Sequence, residues 1–309
     1  MIGAYIDNIL ASFSTILTLF LLGFVIRKCN LLSLQTADQL AKLIVGVLLP
    51  LYLFHATATT SSDLTSKALV PVLAGVATTL IAYPVAVLTG RLVSVEGTRN
   101  RTYVFSNMFL NSSFLGIPIS TAFFGSQGTI YAALFDFGTG FVVLTLGVWC
   151  ISGRSDIAPW RSALRNPLMW GVVLGALSAA ASIRYPQWVT LPLETLGAAT
   201  LPFAIMMCGV QIAGVSISQN VPWRQLSGLM VTRLLLAPVM TFAVLTFFDI
   251  DAASKAIVTV LSGMPVGLST VIFAKMYAAD ADFAAIAIIT STFLAVVTIP
   301  AVVYVLSVT

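Results

Sequence analysis

The chain has 309 residues, of which 59% are hydrophobic and only 8% charged, whereas an ordinary soluble domain carries about 25% charged residues. That composition excludes a soluble enzyme and predicts an integral membrane protein. The net charge of +4 does not point to nucleic acid, because the basic residues lie between apolar runs, where the positive-inside rule accounts for them.

Ten apolar segments of spanning length follow one another: Ile6 to Ile26, Leu40 to Ala58, Ala68 to Leu88, Tyr103 to Phe124, Ile130 to Ile151, Leu168 to Ala181, Leu191 to Val215, Leu226 to Phe248, Ala253 to Tyr277 and Phe283 to Leu306. The first has Asp7 at its start and Arg27 and Lys28 after it, the reverse of a secretory signal, and is expected to be a retained helix. With each Lys and Arg assigned to its nearest loop, one side receives Arg27, Lys28, Lys42, Arg91, Arg99, Arg101, Arg154, Arg161, Arg165, Arg224, Arg233 and Lys275. The other receives only Lys67, Arg184 and Lys255. This imbalance predicts a protein of the cell membrane with both termini on the non-cytoplasmic side.

The two halves of the chain echo each other. LLPLYLF around Pro50, AYPVAV around Pro84 and GIPIS around Pro118 correspond to TLPFAIM around Pro202, LAPVMTF around Pro238 and GMPVG around Pro265. Prolines thus mark the second, third and fourth segment of each half. Five spans per half is an odd number, so the halves would lie in opposite orientation, the inverted-repeat plan of many secondary transporters. The expected organisation is a first five-helix repeat over residues 1–151, a cytoplasmic linker over 152–165 and a second, inverted repeat over 166–309.

The fourth segment, YVFSNMFLNSSFLGIPISTAFFG, is interrupted at its middle by Asn111, Ser112 and Ser113 beside Gly116 and Pro118, residues poorly suited to an unbroken helix. A second interruption lies in the ninth segment at Gly263, Met264 and Pro265. Freed backbone groups at membrane depth are tolerated only inside protein or beside a water-filled cavity, and unpaired N–H groups at a helix start favour an anion. A plain proline kink is the alternative reading of either break alone. Their duplication favours a two-sided site. Asn107 and Asn111, four apart, share a helix face that can point at it, or they can make structural interhelical bonds.

Asp136 is the one carboxylate well inside an apolar segment, which makes it a candidate proton or ion relay unless it lies shallow near the outer interface. His55, the single histidine, is a second candidate for sensing or carrying protons, with an interfacial hydrogen-bonding role as the alternative. Arg233 and Lys275 are expected in a cytoplasmic vestibule or snorkelling to headgroups, and Gln211 is a weaker lining candidate. Cys29, Cys150 and Cys208 are far apart and have no metal-ligand spacing; neither metal nor cofactor is expected. GLST at Gly267 to Thr270 is not a nucleophile motif and His55 stands alone, which argues against an intramembrane protease.

At NSSFLGIPI the chain resembles the auxin efflux carrier family, which includes the plant PIN-FORMED auxin exporters and bacterial carriers assigned to malate or malonate. LLPLYLFHATA, TLPFAIMMCGVQIA and GMPVGLSTVIFAKMY are similar to the same family. The resemblance implies an all-α fold of ten membrane helices in which broken helices 4 and 9 cross at the midplane. It implies a scaffold of helices 1, 2, 6 and 7, often a homodimer interface, and a transport bundle of helices 3 to 5 and 8 to 10 that moves in an elevator fashion. Asn111, Ser112, Ser113, Gly116 and Pro118 would face Gly263, Met264, Pro265 and Ser269 across the substrate. The second break lacks a carboxamide, so backbone groups, Ser262 or Ser269 would stand in for one. The implied cargo is a small organic anion, a dicarboxylate such as malate or malonate first and an auxin-like aromatic acid second. Coupling to protons is expected rather than to sodium, because the crossings offer no acidic cluster to replace a cation's hydration shell. A proton- or sodium-linked exchanger, a carrier similar to bile-acid symporters and a non-transporting receptor are the alternatives.

Overall fold

The computed structural model describes residues 2–59, 69–153, 167–214 and 221–308. Eleven helices run through them: α1 (Ile2–Lys28), α2 (Leu34–Ala58), α3 (Leu69–Leu92), α4 (Gly97–Met108), α5 (Ser112–Ser152), α6 (Pro167–Ala180), α7 (Gln187–Ala213), α8 (Trp223–Leu245), α9 (Ala252–Ser262), α10 (Thr270–Met276) and α11 (Ala281–Val308). Among the described residues the one strand-like feature is an isolated antiparallel bridge between Leu110 and Val266. Six helices, α2, α3, α5, α7, α8 and α11, are long and apolar enough to cross a membrane, and α9 and Trp170–Ala180 within α6 are shorter apolar helices. The chain is a multi-pass membrane protein. Of the predicted linker only Ser152 and Gly153 are described; residues 154–165 lie outside.

Prolines shape these helices in a regular way. Three of the described π turns, Ile44–Leu48, Ser112–Gly116 and Val231–Leu236, each end two residues before a proline: Pro50, Pro118 and Pro238. Proline has no N–H to donate, and its ring collides with the carbonyl four residues back. Widening the preceding turn by one residue relieves that collision while the helix continues. Pro50, Pro118 and Pro238 therefore sit in helices that continue past them. Sequence alone offers no means of telling this from a break.

The chain forms two compact units, each assembled from both halves of the sequence. The first contains Met1–Val70, Ser113–Leu134 and Asn166–Gly214; the second contains Pro71–Ser112, Phe135–Arg165 and Val215–Thr309. The first holds the four helices expected of a scaffold and adds Ser113–Leu134, which the family resemblance had implied would belong with the bundle. Hydroxyl groups tie that addition in: Tyr52 and Thr129 are 3.3 Å apart, and Thr129 and Thr121 are 2.7 Å apart.

Within the first unit α1 and α7 meet backbone to backbone. A Cβ on Gly209 would fall 2.0 Å from the Phe20 carbonyl oxygen, and one on Gly23 would fall 1.9 Å from that of Met206. Helices in lipid gain nothing from hydrophobic burial against one another, so small residues that permit close van der Waals contact stand in its place.

In the second unit Phe105, Val143, Ile151, Ala274 and Ala284 form a buried cluster, and two arginines of α4 close one end. Arg99 Nε donates to Asp280 at 2.8 Å, and the other oxygen of Asp280 accepts the Phe283 N–H at 2.9 Å, capping α11. Arg101 donates to the carbonyls of Ile151, Ser152 and Ala278 at 3.0, 3.1 and 3.1 Å. A cation at a helix C-terminus satisfies orphan carbonyls and opposes the negative end of the dipole.

Candidate substrate site at the helix crossing

Helix α4 stops at Met108, and Phe109 turns into extended backbone with φ −97° and ψ 105°. The extended piece pairs with the second interruption. Asn111 N–H donates to the Pro265 carbonyl at 2.8 Å, and Gly267 N–H donates to the Phe109 carbonyl at 2.8 Å, flanking the Leu110–Val266 bridge. Two broken helices thus satisfy each other's freed backbone through a minimal antiparallel ladder. Val266 N–H finds Ser291 Oγ at 3.1 Å. Buried backbone groups need partners inside the protein, so mutual pairing is what lets the breaks persist. Gly267 is needed for the approach, since a Cβ there would lie 3.2 Å from the Leu110 oxygen and 3.2 Å from the Phe109 ring.

This pairing uses several N–H groups that the sequence reading held available for an anion. Asn111 and Gly267 spend theirs on the ladder, and Ser262 turns its hydroxyl back to Thr259 O at 2.7 Å. Met264 and Gly263 are buried at the centre, and Ser269 is half-buried just before α10. The side chains of Asn111 and Ser112 are buried at the other break, with 4% and 1% of their surface exposed. Ser113, Gly116 and Pro118 belong to the first unit, where Gly116 and Pro118 are buried and Ser113 is half-buried.

Asp136 lies beside the break, because Ser112 Oγ donates to its carboxylate. Both residues are in the second unit. The helix that begins at Ser112 turns at Gly125, where φ is 61°, and brings Asp136 back to its own start. Sequence spacing could not predict this contact, since the two residues are 24 apart and fall in different predicted segments. His55 lies in the first unit, with Nε2 3.7 Å from the exposed Glu194 carboxylate. Gln211 is half-buried on α7 in that unit, and Lys275 is exposed on α10 in the second.

Arg233 is the correction. Expected in a vestibule or at a headgroup, it is instead buried, with 1% of its surface exposed. Nε donates to the Met264 carbonyl at 2.9 Å and Nη1 to the Asn107 carbonyl at 2.9 Å, while Nη2 donates to the Ser262 carbonyl. One guanidinium therefore satisfies the C-terminal ends of both interrupted helices, α4 and α9. Those two ends carry about half a negative charge each, so together they offset roughly one cation. The planar fork of donors is what reaches three carbonyls at once. The available signal was depth: Arg233 lies well inside the apolar run of α8, and an ionisable residue there is a functional-site hypothesis by default. Assigning it to the nearest loop concealed that. Without it the sequence count that predicted the orientation still stands at eleven basic residues against three.

Comparison with known proteins bears on the whole length. The chain is 25% identical over 290 residues to an uncharacterized transporter of Methanothermobacter thermautotrophicus, covering 93% of this chain and 94% of that protein. It is 22% identical over 288 residues to an uncharacterized transporter of Methanocaldococcus jannaschii, covering 90% and 92%. The model of the membrane transport protein family matches twice, over residues 9–158 and again over 154–303, as expected for a duplicated sequence. The chain belongs to that family, the auxin efflux carriers, and is a transport protein rather than an enzyme.

Proposed function

We propose that the protein is a secondary carrier of small organic anions that operates by alternating access at the crossing of the two interrupted helices. The observation that supports this most is the reciprocal pairing of Asn111 with Pro265 and of Gly267 with Phe109. It builds a rigid, self-satisfied backbone element from two places where continuous helices would have been simpler. Asn111, Ser112 and Ser269 are the polar side chains best placed to meet cargo there. The dicarboxylate implied by the resemblance is the first compound to test.

In this reading the chain has ten spans in two inverted halves, 1–151 and 166–309, with both termini outside the cytoplasm. It dimerises through the first, second, sixth and seventh spans and moves its bundle as an elevator. Asp136 carries the coupling proton. When its carboxyl is protonated the anion enters without opposing charge, and when it is ionised it repels the anion. Arg233 and Lys275 are the other charged groups of the second unit that bear on this balance, Arg233 from behind the crossing and Lys275 from α10.

Flux in proteoliposomes tests the reading. Purified protein should accumulate labelled malate, malonate or a related acid when the lumen is made alkaline, and Asn111→Ala should lose that uptake. Ligand binding without flux for every acid tried would overturn it.

A further inference from the structure

Helices α3 and α8 lie side by side and antiparallel within the second unit. Arg224 Nη2, at the start of α8, donates to the Leu92 carbonyl at the end of α3 at 3.0 Å, and further along the pair the Thr78 and Thr241 hydroxyls meet at 3.5 Å. Each helix turns an apolar stripe outward, Leu80, Leu88 and Leu92 on α3 and Val231, Leu235 and Val239 on α8. Between the two helices runs a shallow furrow lined by Ile81, Val85, Ala237 and Met240. From Leu80 to Arg91 is about 16 Å of helix, close to the roughly 15 Å of hydrocarbon in one leaflet.

Both helices place their exposed charge at one end of this surface. Arg91 is the single charged residue of α3, and Arg224 and the buried Arg233 are those of α8. Arg91 and Arg224 are exposed. The bond to Leu92 anchors the Arg224 guanidinium at the helix end from which Arg91 projects, and it uses one of five N–H groups. The neighbouring arginines are committed elsewhere, Arg99 to Asp280 and Gln225 and Arg101 to three carbonyls. Besides Asp280, the carboxylates here are Glu96 on the loop after α3 and Asp282 in the first turn of α11, so four arginines against three carboxylates keep this end positive. Trp223, 69% exposed, stands beside Arg224, and an exposed indole favours the headgroup level, where one edge meets hydrocarbon and the other water. Cations with donors to spare at that level, above an apolar furrow of one leaflet's depth, match a phosphate that carries an acyl chain below it.

We propose that this face of the second unit binds an anionic phospholipid, with Arg91 and Arg224 holding the headgroup phosphate, Trp223 packing at the glycerol level and an acyl chain lying in the furrow between α3 and α8. The site is separate from the helix crossing and does not depend on the identity of the cargo.

Thermal unfolding of detergent-purified protein titrated with phosphatidylglycerol, phosphatidylcholine and inorganic phosphate tests it. Phosphatidylglycerol should raise the midpoint at about twentyfold lower concentration than phosphatidylcholine, about fivefold for each arginine at the headgroup, and inorganic phosphate should leave the midpoint unmoved. Arg91→Gln keeps the Arg224 bond to Leu92 and should cut the preference about fivefold, with a parent-like response to phosphatidylcholine showing that the variant is folded. Arg91→Gln combined with Arg224→Gln should abolish the preference. Lys42→Gln removes an exposed charge of the first unit and should leave the preference intact. Equal response of the parent to the two lipids or an unchanged preference in Arg91→Gln overturns the proposal. So does an equal loss in Lys42→Gln, which would make the effect one of diffuse charge, or the full shift with inorganic phosphate alone.

Discussion

The backbone N–H of Asn111 donates to the carbonyl of Pro265 at 2.8 Å, joining the interruption of one helix to that of another 154 residues later in the chain (265 minus 111). This bond uses the main chain of Asn111, so truncating the side chain leaves it in place. Asn111→Ala should therefore fold with a midpoint close to that of the parent, while uptake falls by tenfold or more. A variant that unfolds in step with its loss of uptake would make Asn111 a structural residue instead. Flux and thermal unfolding measured on one preparation separate the two.

Arg233 should be indispensable to the crossing. Arg233→Leu leaves three buried carbonyls without donors, at about 1–3 kcal/mol each, and is expected to yield little folded protein. Arg233→Lys keeps the charge but presents a point donor in place of a fork, so its unfolding midpoint should drop while some folded protein remains. Recovery of both variants at the parent's midpoint would show that other groups satisfy Asn107, Ser262 and Met264.

Asp136 is predicted to be the coupling group. Asp136→Asn keeps an acceptor for Ser112 and removes the titration, so it should transport, if at all, without dependence on the pH gradient. Falling pH protonates the carboxyl and should favour anion entry, and rising pH should oppose it. Uptake by Asp136→Asn with the parent's pH dependence would place the coupling elsewhere, with His55 next to be tested.

Gly267→Ala sets a methyl group 3.2 Å from both the Leu110 oxygen and the Phe109 ring. The ladder must open by a few tenths of an ångström, at about 1–3 kcal/mol, and the midpoint of unfolding should fall. Gly267→Val should be worse, and a midpoint unchanged in both would mean the two breaks are not held as tightly as their geometry requires.

The α1–α7 contact is testable apart from transport. Gly209→Ala directs a Cβ at the Phe20 carbonyl, 2.0 Å away, and one helix must shift. Lower stability in detergent with the second unit's ligand response preserved is the expected result. A parent-like midpoint would show that α1 can slide.

Much of this protein is legible along the chain because the bilayer is a demanding solvent. Helices that cross it need long apolar runs, and interruptions need polar or glycine-proline residues, so both breaks could be found from residue types alone. The duplication was readable from six prolines, and the family from four short stretches. Local sequence determined those features because each depends only on neighbours within a turn or two.

Other features depend on which residues meet. Pro50 and Pro238 follow π turns in helices that continue, and Pro84 and Pro202 sit inside α-helices, whereas the stretches around Phe109 and Pro265 break. Asp136 reached Ser112 only because the chain turns back at Gly125. Arg233 read as a peripheral charge, since nothing in its immediate sequence announces that carbonyls of Asn107, Ser262 and Met264 converge on it from two other helices. Composition and periodicity report how each segment meets lipid. Only the tertiary structure decided how the interrupted segments satisfy one another, because hydrogen bonds between distant parts of the chain leave no local pattern.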